Sequence, residues 1–275
     1  MKNKKNFLVI GNPIKHSLSP LLHNYWFHKN KINCEYKKLK TTQAEIKKIL
    51  TKVRKKEIEG INVTIPFKNS IIRHLDVLKG DALKTSSVNT VYLNKKKLVG
   101  ENTDVYGFSC GVIKKVANRI KTAGIIGAGG VTSSIILALI QKGVKKIYIT
   151  NRTFSKLKIF KNKFKKIIYP IKWDCRYKFF RNAQLLINVT SLGMLGQKDL
   201  KFDFSIFDKK INVVDIIYNP ENTRFLKDAR KNGHKTFSGL DMFIYQAQKA
   251  FYIWNNKNPK ITKDIYKKLR KKING

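Results

Sequence analysis

The hydrophobic and polar positions of this chain follow two periods in turn, a repeat of two residues typical of strands and a repeat of about 3.6 typical of helices. Short apolar or alternating runs predict strands at 7–10, 33–39, 61–65, 88–93, 97–102, 122–126, 145–153, 167–171, 185–190, 213–217 and 234–237. Longer segments predict helices at 19–31, 42–56, 104–117, 131–143, 239–256 and 262–273. This alternation predicts an α/β fold that is split near residue 103, with a doubly wound parallel sheet in its second part.

The clearest βαβ unit begins at residue 122, where the apolar run of "TAGIIGAGG" leads into glycines and then into a helix. A glycine turn between a buried strand and a helix presents backbone N–H groups to a pyrophosphate. The motif is GxGG and lacks the third glycine of GxGxxG, because Thr132 stands at that position. Since glycines also serve ordinary tight turns, the loop favours a dinucleotide site only together with the strand that follows it.

The end of the following strand indicates which dinucleotide would bind. An NAD site usually has Asp or Glu there, whereas this chain has the sequence "NRTFSK" at 151–156. Arg152 can stack on adenine and pair with a 2′-phosphate, and Lys156 lies about one helical turn further on. The residues therefore favour NADP over NAD.

A second candidate site lies in "INVTIPFKNS", residues 61–70. Ile61, Val63 and Ile65 alternate with polar residues as in a strand with one apolar face, and Pro66 is expected to end it. Lys68 would then lie at a strand end, where both ligand-binding and solvated lysines are common.

The net charge of +41 raises the alternative of a nucleic-acid-binding protein. The 58 basic residues are spread along the chain, and only nine of them are arginine, the better reader of bases. We therefore expect weak, salt-sensitive adhesion to polyanions and no specific nucleic-acid partner. Three widely spaced cysteines predict no disulfide framework and no metal site, and no apolar run is long enough for a membrane span. A cytoplasmic location is expected from these features.

Eight motifs occur in an order and at spacings that resemble the shikimate dehydrogenase family over essentially the whole chain. They are "GNPIKHSLSP" (11–20), "NVTIPFK" (62–68), "VNT" (88–90), "NTD" (102–104), "GAGG" (127–130), "NRT" (151–153), "NVTSLGM" (188–194) and "GLDMFIYQAQKAF" (239–251). The resemblance implies NADPH-dependent reduction of 3-dehydroshikimate to shikimate, in the pathway to chorismate and the aromatic amino acids. It also implies a substrate domain formed by 1–103 and the C-terminal helices 239–275, an NADP-binding Rossmann domain at 104–238, and an active site in a cleft.

The resemblance assigns Lys68 and Asp104 as the catalytic pair that transfers a proton, while the nicotinamide supplies the hydride. Together with this pair, the residues expected to bind the hydroxyls and carboxylate of shikimate or 3-dehydroshikimate are Ser17, Ser19, Asn62, Thr64, Asn89, Tyr218 and Gln246. The residues expected to bind NADP(H) are Gly127, Ala128, Gly129, Gly130, Val131, Asn151, Arg152, Thr153, Lys156, Thr190, Ile216 and Gly239. A homodimer is left open.

The chain departs from the family pattern at Ser86, Val105 and Asp241, positions near which glycine is common. These departures bear on backbone flexibility at the site and, for Asp241, on cofactor affinity. Two alternatives stay open: an NAD-preferring dehydrogenase of quinate and shikimate, and a basic nucleic-acid-binding protein on a dehydrogenase scaffold. His23 is expected to be a packing or surface residue and not an acid or base.

Overall fold

The computed structural model describes residues 4–116 and 120–274. The chain divides into two compact units, of which unit 1 comprises Met1–Gly107 and Ile244–Ile273 and unit 2 comprises Phe108–Phe243. The junction after Gly107 groups Asp104 with unit 1, whereas the division drawn from the sequence groups it with the nucleotide domain.

Strands and helices alternate along most of the chain. The strands are β1 Lys5–Gly11, β2 Cys34–Lys40, β3 Gly60–Val63, β4 Val77–Leu78, β5 Thr90–Asn94, β6 Lys97–Glu101, β7 Thr122–Ile126, β8 Lys146–Thr150, β9 Ile168–Ile171, β10 Leu185–Asn188, β11 Asn212–Asp215 and β12 Lys235–Phe237. The α-helices are α1 Ser19–Lys29, α2 Ile46–Arg54, α3 Asp81–Thr85, α4 Asp104–Gly111, α5 Thr132–Gln141, α6 Lys158–Phe164, α7 Arg176–Phe180, α8 Arg224–Lys231, α9 Leu240–Asn255 and α10 Lys263–Asn274.

Unit 1 contains a mixed sheet with the strand order β2-β1-β3-β5-β6-β4. Strand β1 is parallel to β2 and β3, and β5 is antiparallel to β3 and β6. Ile61 and Val63 of β3 pack with Ile46 and Val53 of α2 in one buried cluster. Strand β3 is buried at all four positions because it lies inside the sheet, between β1 and β5.

Unit 2 contains a sheet with the order β12-β11-β10-β7-β8-β9, in which all strands are parallel. The order reverses at β7, which pairs with β8 on one side and β10 on the other, as in the doubly wound Rossmann arrangement. The carboxyl ends of β7, β8 and β10 lie in register, because Ile126 is opposite both Thr150 and Asn188. The predicted α/β fold with a Rossmann-like sheet is confirmed.

Several predicted boundaries are wrong at their ends. Strand β3 stops at Val63, and Ile65 is 55% exposed beside Pro66, which lacks an N–H donor. Strand β8 stops at Thr150, three residues early, and α4 stops at Gly111, a poor helix former. The predicted end of that helix at 117 lies outside the described residues, and the two-residue strand β4 was too short to predict.

Within residues 4–116 and 120–274, no helix is both long and apolar enough to cross a bilayer. The same residues contain no group of three or more His, Cys, Asp or Glu side chains arranged to bind a metal ion. All three cysteines are free thiols.

Candidate active site

Lys68 lies on the turn that follows β3. The turn is closed by a hydrogen bond of 2.9 Å from the backbone N–H of Phe67 to the carbonyl of Thr64, and the Phe67 side chain is buried. The backbone carbonyl of Lys68 accepts a 2.8 Å hydrogen bond from Val88. The backbone on which Lys68 stands is therefore fixed on both sides of the lysine.

Asp104 is the first residue of α4, and the "NTD" motif explains its position. The side-chain oxygen of Asn102 accepts hydrogen bonds from the backbone N–H groups of Asp104 (3.0 Å) and Val105 (3.3 Å), which caps the helix. The amide of Asn102 donates in turn to the carbonyl of Ser87 at 2.9 Å. A carboxylate in the first turn of a helix is favoured by the helix dipole.

The two residues form a buried ion pair. The Nζ atom of Lys68 lies 2.7 Å from Oδ2 of Asp104, and their side chains are only 13% and 6% exposed. The other carboxylate oxygen accepts a 2.9 Å hydrogen bond from Nδ2 of Asn89. In the part of the chain that the structure describes, Asp104 is the one partner of the Lys68 ammonium, which leaves two of its three N–H donors for a ligand.

The structure brings further predicted substrate ligands of unit 1 to this pair. Gln246 of α9 lies 3.4 Å from both Asn89 and Thr103 through its side-chain oxygen. Asn62 is buried, and its side chain is hydrogen-bonded to Tyr36, Asn89 and Thr90. Asn89 thus contacts Asp104 directly, and Gln246 contacts Asn89. Asn62 is connected to the pair through Asn89 and Thr90, within the protein interior.

The remaining predicted ligands lie on separate segments. Ser17 lies on the loop between β1 and α1, and Ser19 is the first residue of α1. The Ser19 N–H donates to the Ser17 hydroxyl at 3.3 Å. Thr64 is half-buried at the end of β3, and its N–H donates to Ile10 at 2.9 Å. Tyr218 belongs to unit 2, where its ring stacks on Phe243 with the centroids 4.4 Å apart.

The glycine loop of unit 2 follows β7 and leads into α5, as predicted. Gly127 has φ of +118°, and a Cβ atom there would lie 2.7 Å from the Thr190 methyl group. Any larger residue would therefore be strained in conformation and crowded in space. A Cβ on Gly129 would have only the carbonyl of Val189 within 4 Å, so a ligand can approach this backbone closely.

The residues expected to select NADP follow β8, beside the glycine loop. Asn151 closes the turn with a 3.0 Å hydrogen bond from Nδ2 to the carbonyl of Thr153. Arg152, Thr153 and Lys156 are exposed, and within the described ranges neither cation forms an ion pair. Two unpaired cations near the carboxyl end of β8 fit a bound phosphate group.

A buried carboxylate that sequence reasoning missed organises the next two strand ends. Asp215 ends β11 and accepts hydrogen bonds from the Thr223 hydroxyl (2.7 Å), from Nδ2 of Asn188 (3.1 Å) and from the N–H of Ile217 (3.1 Å). Burial raises its pKa from the ordinary 3.8 to about 6, against the opposing effect of these hydrogen bonds. The signal was present in the sequence, since Asn and Asp end two adjacent apolar strands.

Three predicted cofactor residues belong to this region. Thr190 donates its hydroxyl to Oδ1 of Asn188 at 2.7 Å, so its orientation depends on that buried asparagine. Gly239 packs so closely on the carbonyl of Ile216 that a Cβ atom could not be accommodated without moving the backbone. The two predicted positions at Ile216 and Gly239 are thus in direct contact.

The three departures have plain structural roles. Ser86 ends α3 in the left-handed conformation, with φ of +50°, where glycine would be less strained. Val105 is buried in α4. Asp241 is paired with Lys115 at 2.7 Å. His23 is fully buried and packs on Tyr36, which confirms that it is a packing residue.

Together these features define a class: an α/β protein with a Rossmann-type unit and a second unit that contains a buried Lys–Asp pair. Residues 9–91 match the model of the shikimate dehydrogenase substrate binding domain, and residues 112–218 match that of the shikimate / quinate 5-dehydrogenase domain. The chain belongs to the shikimate dehydrogenase family.

Three similar proteins illustrate this membership. The chain is 46% identical to the shikimate dehydrogenase (NADP(+)) of Pelagibacter ubique, over 94% of this chain and 96% of that one. It superposes with a TM-score of 0.87 and 28% identity on shikimate 5-dehydrogenase from Thermus thermophilus, solved in complex with NADP(H) and shikimate, over 98% and 99% of the two chains. Quinate dehydrogenase from Corynebacterium glutamicum, solved with NAD, gives a TM-score of 0.85 at 25% identity and 98% coverage of both.

Proposed function

We propose that this chain catalyses the reversible, NADPH-dependent reduction of 3-dehydroshikimate to shikimate, the step that leads towards chorismate and the aromatic amino acids. The observation that carries the proposal is the buried pair of Lys68 and Asp104 at 2.7 Å, in a chain of this family. A lysine held by a carboxylate, with two N–H donors still unused, is suited to protonate a ketone oxygen.

The residues of unit 2 fit NADP(H). The backbone of the glycine loop is open to a pyrophosphate, and Arg152 and Lys156 are available for a 2′-phosphate. The close packing of Gly239 on the carbonyl of Ile216 requires a residue without a side chain at position 239. We propose that these residues, with Ala128, Val131, Asn151, Thr153 and Thr190, hold the cofactor.

The bound nicotinamide supplies the hydride, so the protein has to orient the ketone and protonate its oxygen. As negative charge develops on that oxygen, Nζ of Lys68 donates a proton to it, and the carboxylate of Asp104 holds the ammonium in place. In the direction of shikimate oxidation, the neutral amine accepts the hydroxyl proton. Asn89 contributes by fixing the Asp104 carboxylate through its amide.

Neutral hydrogen-bonding side chains suit a small polyol acid, because each can match one hydroxyl group. We propose that Ser17, Ser19, Thr64, Asn89 and Gln246 bind the ring substituents, and that Tyr218 lies near the carboxylate. Asn62 was predicted as a further ligand. Both of its amide hydrogens are already donated within the protein, which favours a supporting role.

The alternative with NAD and quinate has some support from the similarity to the Corynebacterium glutamicum enzyme. Arg152 favours NADP, since no acidic residue stands in the 151–156 segment to bind the ribose hydroxyls. The nucleic-acid alternative has no feature of its own beyond the net charge of +41. We place the enzyme in the cytoplasm, with which three free thiols are compatible.

The test is an assay of the purified protein with shikimate or quinate and with NADP+ or NAD+, followed by nicotinamide absorbance. We expect the highest kcat/KM with shikimate and NADP+. Higher kcat/KM with NAD+ or with quinate would support the alternative dehydrogenase, and absence of reduction in all four combinations would contradict a dehydrogenase function.

A further inference from the structure

We propose that Tyr36 is a positioning residue for the Lys68–Asp104 pair, and that its hydroxyl acts through Asn62, Thr90 and Asn89 to orient the Asp104 carboxylate. As a statement about turnover, this inference rests on the proposed function. The chain of contacts that carries it lies wholly within unit 1, and each link is a hydrogen bond between buried or largely buried groups.

The ring of Tyr36 is held in place by packing, independently of the hydrogen bond that its hydroxyl makes. Tyr36 lies on β2 and is 1% exposed. Its ring stacks on His23 at a centroid distance of 4.3 Å, with the two planes only 2° from parallel. Its hydroxyl donates a 2.7 Å hydrogen bond to Oδ1 of Asn62. The hydroxyl is therefore a rigidly placed donor aimed at one acceptor.

The orientation of the Asn62 amide leaves only that direction for the Tyr36 hydrogen bond. Nδ2 of Asn62 lies 2.9 Å from the backbone carbonyl of Asn89, a group that can only accept. The NH₂ group must face this carbonyl, so Oδ1 faces Tyr36. The second amide hydrogen is donated to the hydroxyl of Thr90 at 3.1 Å. With both hydrogens used inside the protein, Asn62 has no donor left for a substrate hydroxyl.

The orientation of the Asn89 amide follows from its hydrogen-bond partners in the same way. The Thr90 hydroxyl accepts from Asn62 and donates to Oδ1 of Asn89 at 3.0 Å. That oxygen also accepts the backbone N–H of Thr103 at 2.8 Å, and this group can only donate. Nδ2 of Asn89 must therefore point away from these donors, towards Oδ1 of Asp104 at 2.9 Å. The donor direction thus runs from Tyr36 to Asp104 without a break.

Removing the Tyr36 hydroxyl would leave Oδ1 of Asn62 buried without its donor, so the amide would lose one of the contacts that hold it. The change would reach Asp104 through Asn62, Thr90 and Asn89, and of these three only Asn89 is a proposed substrate ligand. A positioning effect of this kind lowers the turnover number kcat, because it disturbs the geometry of proton transfer, and leaves the KM for shikimate nearly unchanged.

The experiment compares Tyr36→Phe and Thr90→Val with wild type in the shikimate and NADP+ assay. The matched control is Tyr92→Phe, which removes a hydroxyl that donates to Glu101 at 2.8 Å in the same sheet, outside the chain from Tyr36 to Asp104. We expect both relay variants to lose roughly 10-fold in kcat with KM changed by less than about 3-fold, and the control to keep wild-type kcat. Thr90→Val provides the same test if Tyr36→Phe does not fold.

A merely structural role is distinguished by a double-mutant cycle. In a Lys68→Ala background, where proton transfer by the lysine is already lost, Tyr36→Phe should cause no further loss of kcat. Equal losses in both backgrounds would overturn the proposal, as would a raised KM with kcat unchanged.

If the wild-type protein does not turn over shikimate, the proposed function is contradicted, and this result does not depend on the relay. The relay is then tested by urea unfolding of Tyr36→Phe, Asn62→Ala and the double variant. Coupled effects on the free energy of unfolding are expected, and additive effects would contradict the relay.

Discussion

The two units each contain a buried aspartate at the end of a structural element, and the two aspartates have different partners. Asp104 in unit 1 is paired with the ammonium of Lys68 and receives the amide of Asn89. Asp215 in unit 2 is fully buried, and among residues 4–116 and 120–274 its donors are the neutral groups of Asn188, Thr223 and Ile217. One carboxylate therefore has a cation at 2.7 Å, and the other is surrounded by dipoles.

This difference separates the carboxylate of the proposed catalytic pair from a structural one. A buried pair with an unused ammonium face keeps a transferable proton at a defined atom. A buried carboxylate with neutral donors holds its neighbours together instead, since Asp215 connects the ends of β10 and β11 with Thr223, the N-cap of α8. Burial disfavours the charged form of this carboxyl and raises its pKa to about 6.

The largest expected effect is on turnover, when Asp104 is changed to Asn. The amide keeps the shape and removes the charge that holds Lys68, so we expect kcat to fall ~10²–10⁴-fold. The measurement is steady-state oxidation of shikimate, with Asp174→Asn, at an exposed position of unit 2, as the matched control. Turnover that falls equally in both variants would contradict a specific role of the Asp104 carboxylate.

A smaller effect concerns the pH dependence of stability. Because the pKa of Asp215 is raised from 3.8 to about 6, the folded protein binds its proton more tightly than the unfolded chain does. Its contribution to stability is complete below pH 3.8 and is lost as the pH rises through about 6. This loss amounts to about 3 kcal/mol in the free energy of unfolding.

The comparison of wild type with Asp215→Asn isolates this contribution from that of the histidines. Urea unfolding between pH 4 and pH 7 should show the stability of wild type relative to the variant decreasing as the pH rises. A difference that stays constant over this range, or increases, would contradict the assignment of a raised pKa to Asp215.

The smallest effect is on cofactor affinity, when Arg152 is changed to Ala. Only NADPH carries the 2′-phosphate, so its binding should weaken by about 1.5–3 kcal/mol while NADH binding changes little. Fluorescence titration of both cofactors measures this, with Arg181→Ala, an exposed arginine of the same unit, as the control. Equal weakening of NADPH and NADH by Arg152→Ala would contradict NADP selection at this position.

Much of the fold could be predicted from the sequence, because short apolar runs and glycines mark strands and their ends. The β7–α5–β8 unit is an example, since its period changes from two to about 3.6 at the glycines. The alternation at Ile61–Ile65 predicted a strand with one polar face in solvent, which is wrong. Strand β3 lies inside a sheet, and Asn62 is buried.

The candidate site was predicted less completely. The meeting of Lys68 with Asp104, 36 positions apart, was expected only from the family resemblance, since local patterns carry no information on such contacts. Tyr36 was missed for the same reason, because its role comes from a buried partner on another strand. Asp215 was missed although it follows an apolar strand, as Asn188 does on the neighbouring strand. A tyrosine in a strand normally indicates packing alone.

The most direct test of the central claim, that the Lys68–Asp104 pair carries out proton transfer, compares Lys68→Ala with Lys96→Ala. Lys96 lies exposed in the turn between β5 and β6, so it matches Lys68 in residue type and unit without the buried partner. With both substrates saturating, Lys68→Ala should lower kcat ~10²–10⁴-fold and leave NADPH affinity unchanged, whereas Lys96→Ala should keep wild-type kcat. Near-normal turnover in Lys68→Ala would contradict the assignment of proton transfer to this pair.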